Sequence, residues 1–269
     1  MMTALFAVGI FLSLLIGVAL GLLGGGGSIL TVPILHYIFG LSAGEATTLS
    51  LFVVGFTAAV GAYAYASRGE IAWKEGILFA LPSFIVVFLM RRFVLPALPA
   101  EFYFMNVSLS KDKLILLTFS LVMLAAASAM VRPSRTRTSH HPQPTLLKVI
   151  LIALQGVAVG AVTGFVGAGG GFLIVPALVV LVGLDMKRAV GTSLVVIAAN
   201  SLIGFWGALS SGATINVSVL LTVSAAALVG MLAGSRFVTK VSNEKLKPAF
   251  GYFVLIMAIL ILMKETILK

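Results

Sequence analysis

Apolar runs as long as a bilayer is thick recur from one end of this chain to the other, and that recurrence decides its fold class. A membrane-spanning helix needs ~20 such residues. Here the runs fall at 3–23, 27–39, 46–66, 73–95 and 114–131, then at 146–164, 170–183, 189–209, 215–237 and 246–263. Of the 269 residues 60% are hydrophobic and only 10% are charged, against about 25% charged in a soluble domain. No water-facing surface can be made from such a chain. Lipid admits only helices or closed barrels, and continuous runs rather than alternating ones point to helices. The expectation is an all-α polytopic membrane protein of about ten helical segments.

The N-terminus lacks a basic region ahead of its apolar run, and the run is long for a signal peptide, so it reads as a retained span. With no cysteine, disulfides and thiolate metal sites are excluded. The formal net charge of +10 does not indicate nucleic acid: the basic residues fall between apolar runs, without a basic stripe interleaved with aromatics.

The one sizeable hydrophilic stretch is RPSRTRTSHHPQPT, residues 132–145, which divides the chain into a first transmembrane repeat (1–131), a linker (132–145) and a second repeat (146–269). The halves align without a gap. GLLGGGGSILTVP from Gly21 matches GFVGAGGGFLIVP from Gly164, an offset of 143. In the same register Gly40 meets Gly183, Ala46 meets Ala189, Ser50 meets Ser193, Gly61 meets Gly204 and Tyr63 meets Trp206. Shared apolar composition would not hold glycines and prolines in register, so this is an internal repeat.

Lysine and arginine collect on the cytoplasmic side of membrane proteins. The linker, with Arg132, Arg135 and Arg137, is therefore expected in the cytoplasm. If all ten segments cross, the basic residues divide about two to one in that sense; re-entrant short segments would even the split. Five crossings per half give the repeats opposite topology, the inverted arrangement of many secondary transporters.

The second segment of each half is short and comes after a glycine tract, Gly24–Gly27 in one and Gly167, Gly169, Gly170 and Gly171 in the other. Such breaks are tolerated in a membrane only where packed in protein or lining a wet cavity. A helix start presents unpaired N–H groups and a partial positive charge suited to an anion. Glycine also lets a ligand come close to the main chain. Paired broken helices are the best sequence pointer to a transporter's substrate site. The competing reading is close helix packing.

Hydroxyls can donate to an anion's oxygens, which adds Ser28, Thr48, Ser50, Thr192 and Ser193 as candidates. Their alternative is bonding to their own helix. Asn200, opposite Thr57 in the repeat, needs a partner in mid-segment and serves either the ligand or helix association. His36, Pro33 and Pro176 read as packing or kink residues. Arg91 and Arg92 end the fourth segment, where they could attract anions; snorkelling to the interface is the favoured reading.

All eight acidic residues lie at or near segment ends, so no interior carboxylate offers itself for proton or sodium coupling. Nor is there a metalloprotease, nucleotide-binding or nucleophile–base pattern, which argues against an enzyme and against a cofactor.

The sequences GLLGGGGSILTVPIL and GLSAGEATTLSL, with GFVGAGGGFLIVPAL and GLDMKRAVGTSL, resemble the duplicated signature of the TauE/SafE sulfite exporter family. The stretch GMLAG at 230–234, continued through Ser235–Lys247, resembles that family's closing pattern. The resemblance covers most of the chain. It implies an inner-membrane protein moving a small sulfur-containing anion, sulfite or a sulfonate such as sulfoacetate, generally outward. Carried over by position, the site involves Gly24, Gly25, Gly26, Gly27 and Ser28, Gly167 and Gly169 to Gly171, with Thr48, Ser50, Thr192 and Ser193. The fourth segment departs from the pattern, lacking the spaced glycines of GMLAG. An importer of another small anion or sulfur compound, or a membrane assembly protein, are the alternatives. Oligomeric state is left open, a homodimer being one option.

Overall fold

The computed structural model describes residues 2–99, 101–104, 107–131, 145–166, 171–237 and 241–266. The apolar runs form a bundle of helices: α1 (Met2–Leu23), α2 (Gly26–Tyr37), α3 (Ala43–Ala66), α4 (Trp73–Ala97), α5 (Lys111–Val131), α6 (Thr145–Val166), α7 (Gly171–Pro176), α8 (Met186–Ser210), α9 (Val217–Phe237) and α10 (Asn243–Thr266). Two of them loosen into π-helical turns, α4 at Met90–Val94 and the chain after α7 at Ala177–Leu181. The second begins directly after Pro176, whose ring and missing N–H break the regular ladder. Pro33 sits inside a continuous α2. Of the linker, 132–144 lies outside the described residues.

Among the described residues six helices are long and apolar enough to cross a bilayer: α3, α4, α5, most of α6, α8 and α9. α2 has 12 residues and so rises only ~18 Å at 1.5 Å per residue, well short of a ~30 Å core. It folds back along α1, with Gly27 against Ile16 and Leu20. α7 and its π turn start against Ile197, in the middle of α8, and end just before α8 begins.

One element falls outside the helical expectation. Between α4 and α5 the segment EFYFMNVSLS alternates polar and apolar residues, the period of a strand. It forms an antiparallel pair, β1 (Glu101–Phe104) with β2 (Val107–Ser110), Glu101 opposite Ser110 and Phe104 opposite Val107.

The two halves interlock through small residues. α1 and α9 run in the same direction with backbones touching: Gly17 lies against Ala227, Gly21 against Met231 and Ser235, Gly230 against Leu14, and Gly234 against Val18. α4 and α6 do likewise, with Gly156 against Phe79, Gly160 against Ser83 and Gly164 against Val87 and Met90. Missing side chains permit this approach, which is how helices associate where lipid offers no hydrophobic drive. Gly17 and Gly21 stand 143 residues before Gly160 and Gly164, so aligned glycines do the same work in each half. Between these pairs α3 crosses α8 head to tail. Gly55 faces Ser201 and Leu202, Gly61 faces Leu194, and Gly204 faces Leu51.

The outside of the bundle is apolar, with Phe11, Ile85, Leu154, Leu221 and Ile256 among its exposed side chains. Tyr63 and Trp206 are exposed one turn from the C-terminal ends of α3 and α8. Aromatic rings of this kind sit at headgroup level.

Candidate functional site

The start of α7 at Gly171 meets the glycine break between α1 and α2. The chain leaves α1 through Gly24, whose φ of +71° is a left-handed conformation that only glycine takes without strain. A Cβ on Gly24 would lie 2.7 Å from Ser193 Oγ and 3.1 Å from Val190. From the other half, a Cβ on Gly171 would lie 2.6 Å from Gly25 Cα and 2.7 Å from Ile197 Cδ1. The start of α7 thus rests on the break before α2, and both lie on the face of α8 that carries Val190, Ser193 and Ile197. Gly167, Gly169 and Gly170 lie outside the described residues, as do the side-chain surroundings of Gly26 and Ser28.

Not every glycine N–H is available to a ligand. Gly24 donates to Leu20 O and Gly25 to Leu23 O, both at 2.8 Å, closing the last turn of α1. α2 begins after Gly25 without a side-chain cap. Its first-turn N–H groups, from Gly26 through Ser28, have no acceptors within the helix. The donor role narrows to them.

The hydroxyls divide more sharply. Thr48 donates to Gly44 O at 2.9 Å and Ser193 to Val190 O at 2.8 Å, each bonding its own helix. Thr192 accepts from the N–H of Ala72, the residue just before α4, at 2.8 Å. This bond spans 120 residues and ties the start of α4 to α8. Replacing Thr192 with valine keeps the shape and orphans that buried N–H, so stability should fall by about 1–3 kcal/mol. A thermal-unfolding midpoint equal to wild type would show that the bond contributes nothing. Ser50 is buried and its Oγ has no partner among the described residues. Asn200 donates to Ser83 Oγ at 2.7 Å, while its Oδ1 and the neighbouring Ser201 Oγ are buried without partners among the described residues. Ser50, Asn200 and Ser201 therefore keep unused polar capacity inside the bundle, and Ser201 is one that sequence reasoning passed over.

His36 bonds Leu41 O through Nδ1 at 2.7 Å and packs edge-on against Tyr37, which accounts for it as a structural residue.

Arg91 corrects the sequence reading. It does not snorkel: its side chain, carried by the π turn of α4, is 1% exposed. Such turns add a residue to the helix and are frequent at functional positions. Its Nη1 donates to Thr47 Oγ1 at 3.2 Å, and Nε and Nη2 are buried with no partner among the described residues. Arg92, the next residue, is half-buried and lies over the exposed ring of Phe93. Hydropathy treats the two arginines alike; what separates them is that adjacent positions on a helix face different ways, and the bundle covers only one of them.

Arg91 also bounds a cavity of about 330 Å³, with Thr48, Glu45, Lys111 and the turn after α8. This cavity lies at the start of α3 and α5, the end of the bundle opposite Val131, where the linker departs. The predicted site residues are thus not all together. The glycine junction and Ser193 form one place; Thr48 belongs to the cavity with Arg91.

Comparison with known proteins decides the lineage. The sequence model of the sulfite exporter TauE/SafE family matches residues 9–261. The chain belongs to the TauE/SafE family. This family member is 31% identical over 256 residues to a probable membrane transporter protein of Xylella fastidiosa strain Temecula1, covering 93% of this chain and 92% of the relative. It is 25% identical over 241 residues to the probable membrane transporter protein YdhB of Bacillus subtilis, covering 89% and 93%. A probable membrane transporter protein of Methanocaldococcus jannaschii is 26% identical over 248 residues, 89% of this chain and 86% of that one. No solved structure matches the chain. Family and fold together make this TauE/SafE protein a multi-pass membrane transporter.

Proposed function

We propose that this transporter exports a small sulfur-containing anion, sulfite or a sulfonate such as sulfoacetate, across the inner membrane by alternating access. The observation that carries the reading is the contact of Gly171 with Gly25 in the buried middle of the bundle. Two helix starts, one from each half, meet at one place where side chains are missing and where the first-turn N–H groups of α2 have no acceptors within their helix. An anion there meets N–H groups of Gly26, Gly27 and Ser28, and Gly167 and Gly169 to Gly171 are their counterparts in the 143-residue register. Asn200, one turn along α8 from Ile197, offers its second amide N–H, while Ser50, with its unspent hydroxyl, lies further along α3 toward Thr47 and Arg91. Thr192 and Ser193 shape the surroundings through bonds already made, whereas Thr48 lines the separate cavity with Arg91.

The head-to-tail crossing of α3 and α8, which are equivalent in the 143-residue register, supports repeats of opposite direction. Such repeats supply two alternative openings around one central site by rocking against each other. The arginines of the linker 132–145 support its assignment to the cytoplasm.

No carboxylate is needed for export, because the membrane potential drives an anion outward by ~2.3 kcal/mol per charge per 100 mV. In proteoliposomes, sulfite efflux should accelerate when the lumen is made negative. At equilibrium a monoanion should distribute about fifty-fold across about 100 mV, since 1.4 kcal/mol is a factor of ten. Efflux indifferent to the potential, or absent for sulfite and sulfoacetate alike, would refute this reading.

A further inference from the structure

The glycine junction leaves one charged group without a task. Arg91 is buried, and no carboxylate among the described residues forms an ion pair with it. The nearest acids are engaged elsewhere. Glu45 accepts from the backbone and hydroxyl of Ser42 in the cap of α3, at 3.1 and 3.0 Å. Asp112 accepts from the N–H of Ala43 at 3.2 Å. Lys111 donates to Leu95 O and adds a second positive charge to the cavity wall. A buried charge without a partner is strongly unfavourable, so a native chain that keeps one has something to pair with it.

Which nitrogens are free says what that something is. In a guanidinium the Nε–H and Nη2–H bonds run parallel along one edge, the fork that takes two oxygens of one oxyanion. Arg91 spends Nη1 on Thr47 and leaves that edge unused. Both edge nitrogens are closed off from solvent, while the residue itself forms part of the wall of the 330 Å³ cavity. That volume exceeds what a small oxyanion fills. Thr47 and Ser50, three residues apart, lie on one face of α3. They lead from Arg91 one turn deeper, where Ser50 Oγ is unpartnered among the described residues. The second half offers no counterpart, since the register places Gly234 where the first half has Arg91.

We propose that Arg91 and the cavity it bounds form a second anion site, at the end of the bundle opposite the linker. On binding, the Arg91 side chain turns its closed-off Nε/Nη2 edge toward the cavity, where it takes two oxygens of a sulfur oxyanion or sulfonate, and Lys111 raises the local positive potential. The ligand class rests on the anion-transport reading above; the site itself rests on the unpaired arginine. In the transport cycle it receives the anion from the glycine junction before release, and its presence in one half only makes the two openings chemically unequal.

Calorimetric titration of the purified full chain with sulfoacetate, sulfite and sulfate, with chloride as control, tests this. Arg91→Lys keeps the charge and removes the fork; oxyanion affinity should fall at least tenfold. Glu45→Gln keeps an acceptor for the Ser42 cap and removes a negative charge from the cavity wall; affinity should rise severalfold, more at low salt than at high. A merely structural arginine would give neither the rise nor its salt dependence. Unchanged affinity in both variants overturns the site; if Arg91→Lys does not purify as a folded protein, unchanged affinity in Glu45→Gln overturns it alone. Wild-type protein that binds sulfate in an Arg91-dependent way, yet neither binds nor transports sulfite or sulfoacetate, upholds the anion site and refutes the proposed substrate. Normal sulfite transport with oxyanion affinity indifferent to both substitutions does the reverse.

Discussion

Gly171→Val should abolish sulfite efflux from proteoliposomes while the protein still inserts and purifies from the membrane. The first added carbon would already stand 2.6 Å from Gly25 Cα and 2.7 Å from Ile197 Cδ1, and valine brings two further methyls. The Ile197 side chain can turn aside; the Gly25 backbone cannot. Gly25 is held between the last turn of α1, through its bond to Leu23 O, and the first turn of α2. Its displacement moves the donors proposed to hold the anion. Overpacking of this kind costs about 1–3 kcal/mol, which a large bundle survives. The loss should therefore appear in flux and not in yield. Wild-type flux from a correctly inserted Gly171→Val protein would remove the glycine junction from the transport path. Gly24→Ala should be damaging for a different reason: its left-handed backbone disfavours any side chain by about 1–2 kcal/mol, with Ser193 Oγ in the way as well.

Gly230→Leu should have the largest effect on stability. A Cβ at this position runs into the carbonyl of Leu14, and the neighbouring contacts of Gly17 with Ala227 and Gly234 with Val18 are also backbone to backbone. No rotamer change relieves a clash between two main chains. α1 must move away from α9 along several turns, undoing dispersion contacts that have no hydrophobic substitute in lipid. We expect a loss of about 3 kcal/mol or more, seen as aggregation on size exclusion or a collapsed thermal-unfolding midpoint. A monodisperse Gly230→Leu protein with an unchanged midpoint would show that the α1–α9 contact is dispensable. Gly230 holds helices together, whereas Gly171 clears a space where two helix starts meet.

Sequence alone does not separate these two roles. All these glycines look alike in an apolar background, and the rivalry between packing and site-forming readings cannot be resolved by counting them. Packing accounts for one set of glycines: Gly17, Gly21, Gly160, Gly164, Gly230 and Gly234 lie against the backbones of neighbouring helices. Gly24, Gly25 and Gly171 instead surround the junction. The duplicated register was nevertheless legible, because a backbone that must break or approach another at one depth in each half demands glycine at the same aligned position.

The hydroxyls show the opposite limit. Thr48, Ser50, Thr192 and Ser193 are equivalent on paper, and of these four only Ser50 is left without a bond among the described residues. The fate of Thr192 depends on an N–H at Ala72, 120 residues away in the chain, and no local pattern contains that information.

By itself the sequence determined the membrane-spanning helical class, the lengths of the spans, the paired breaks and the family. These depend on hydropathy and backbone freedom, which each stretch of chain carries locally. The tertiary structure alone decided that Gly171 meets Gly25, which polar groups are already spent, and that Arg91 is buried while Arg92 is not. Those outcomes depend on partners brought from distant segments. Arg91, a charged side chain written at the edge of a span, is covered by them, with its bidentate edge unpaired among the described residues.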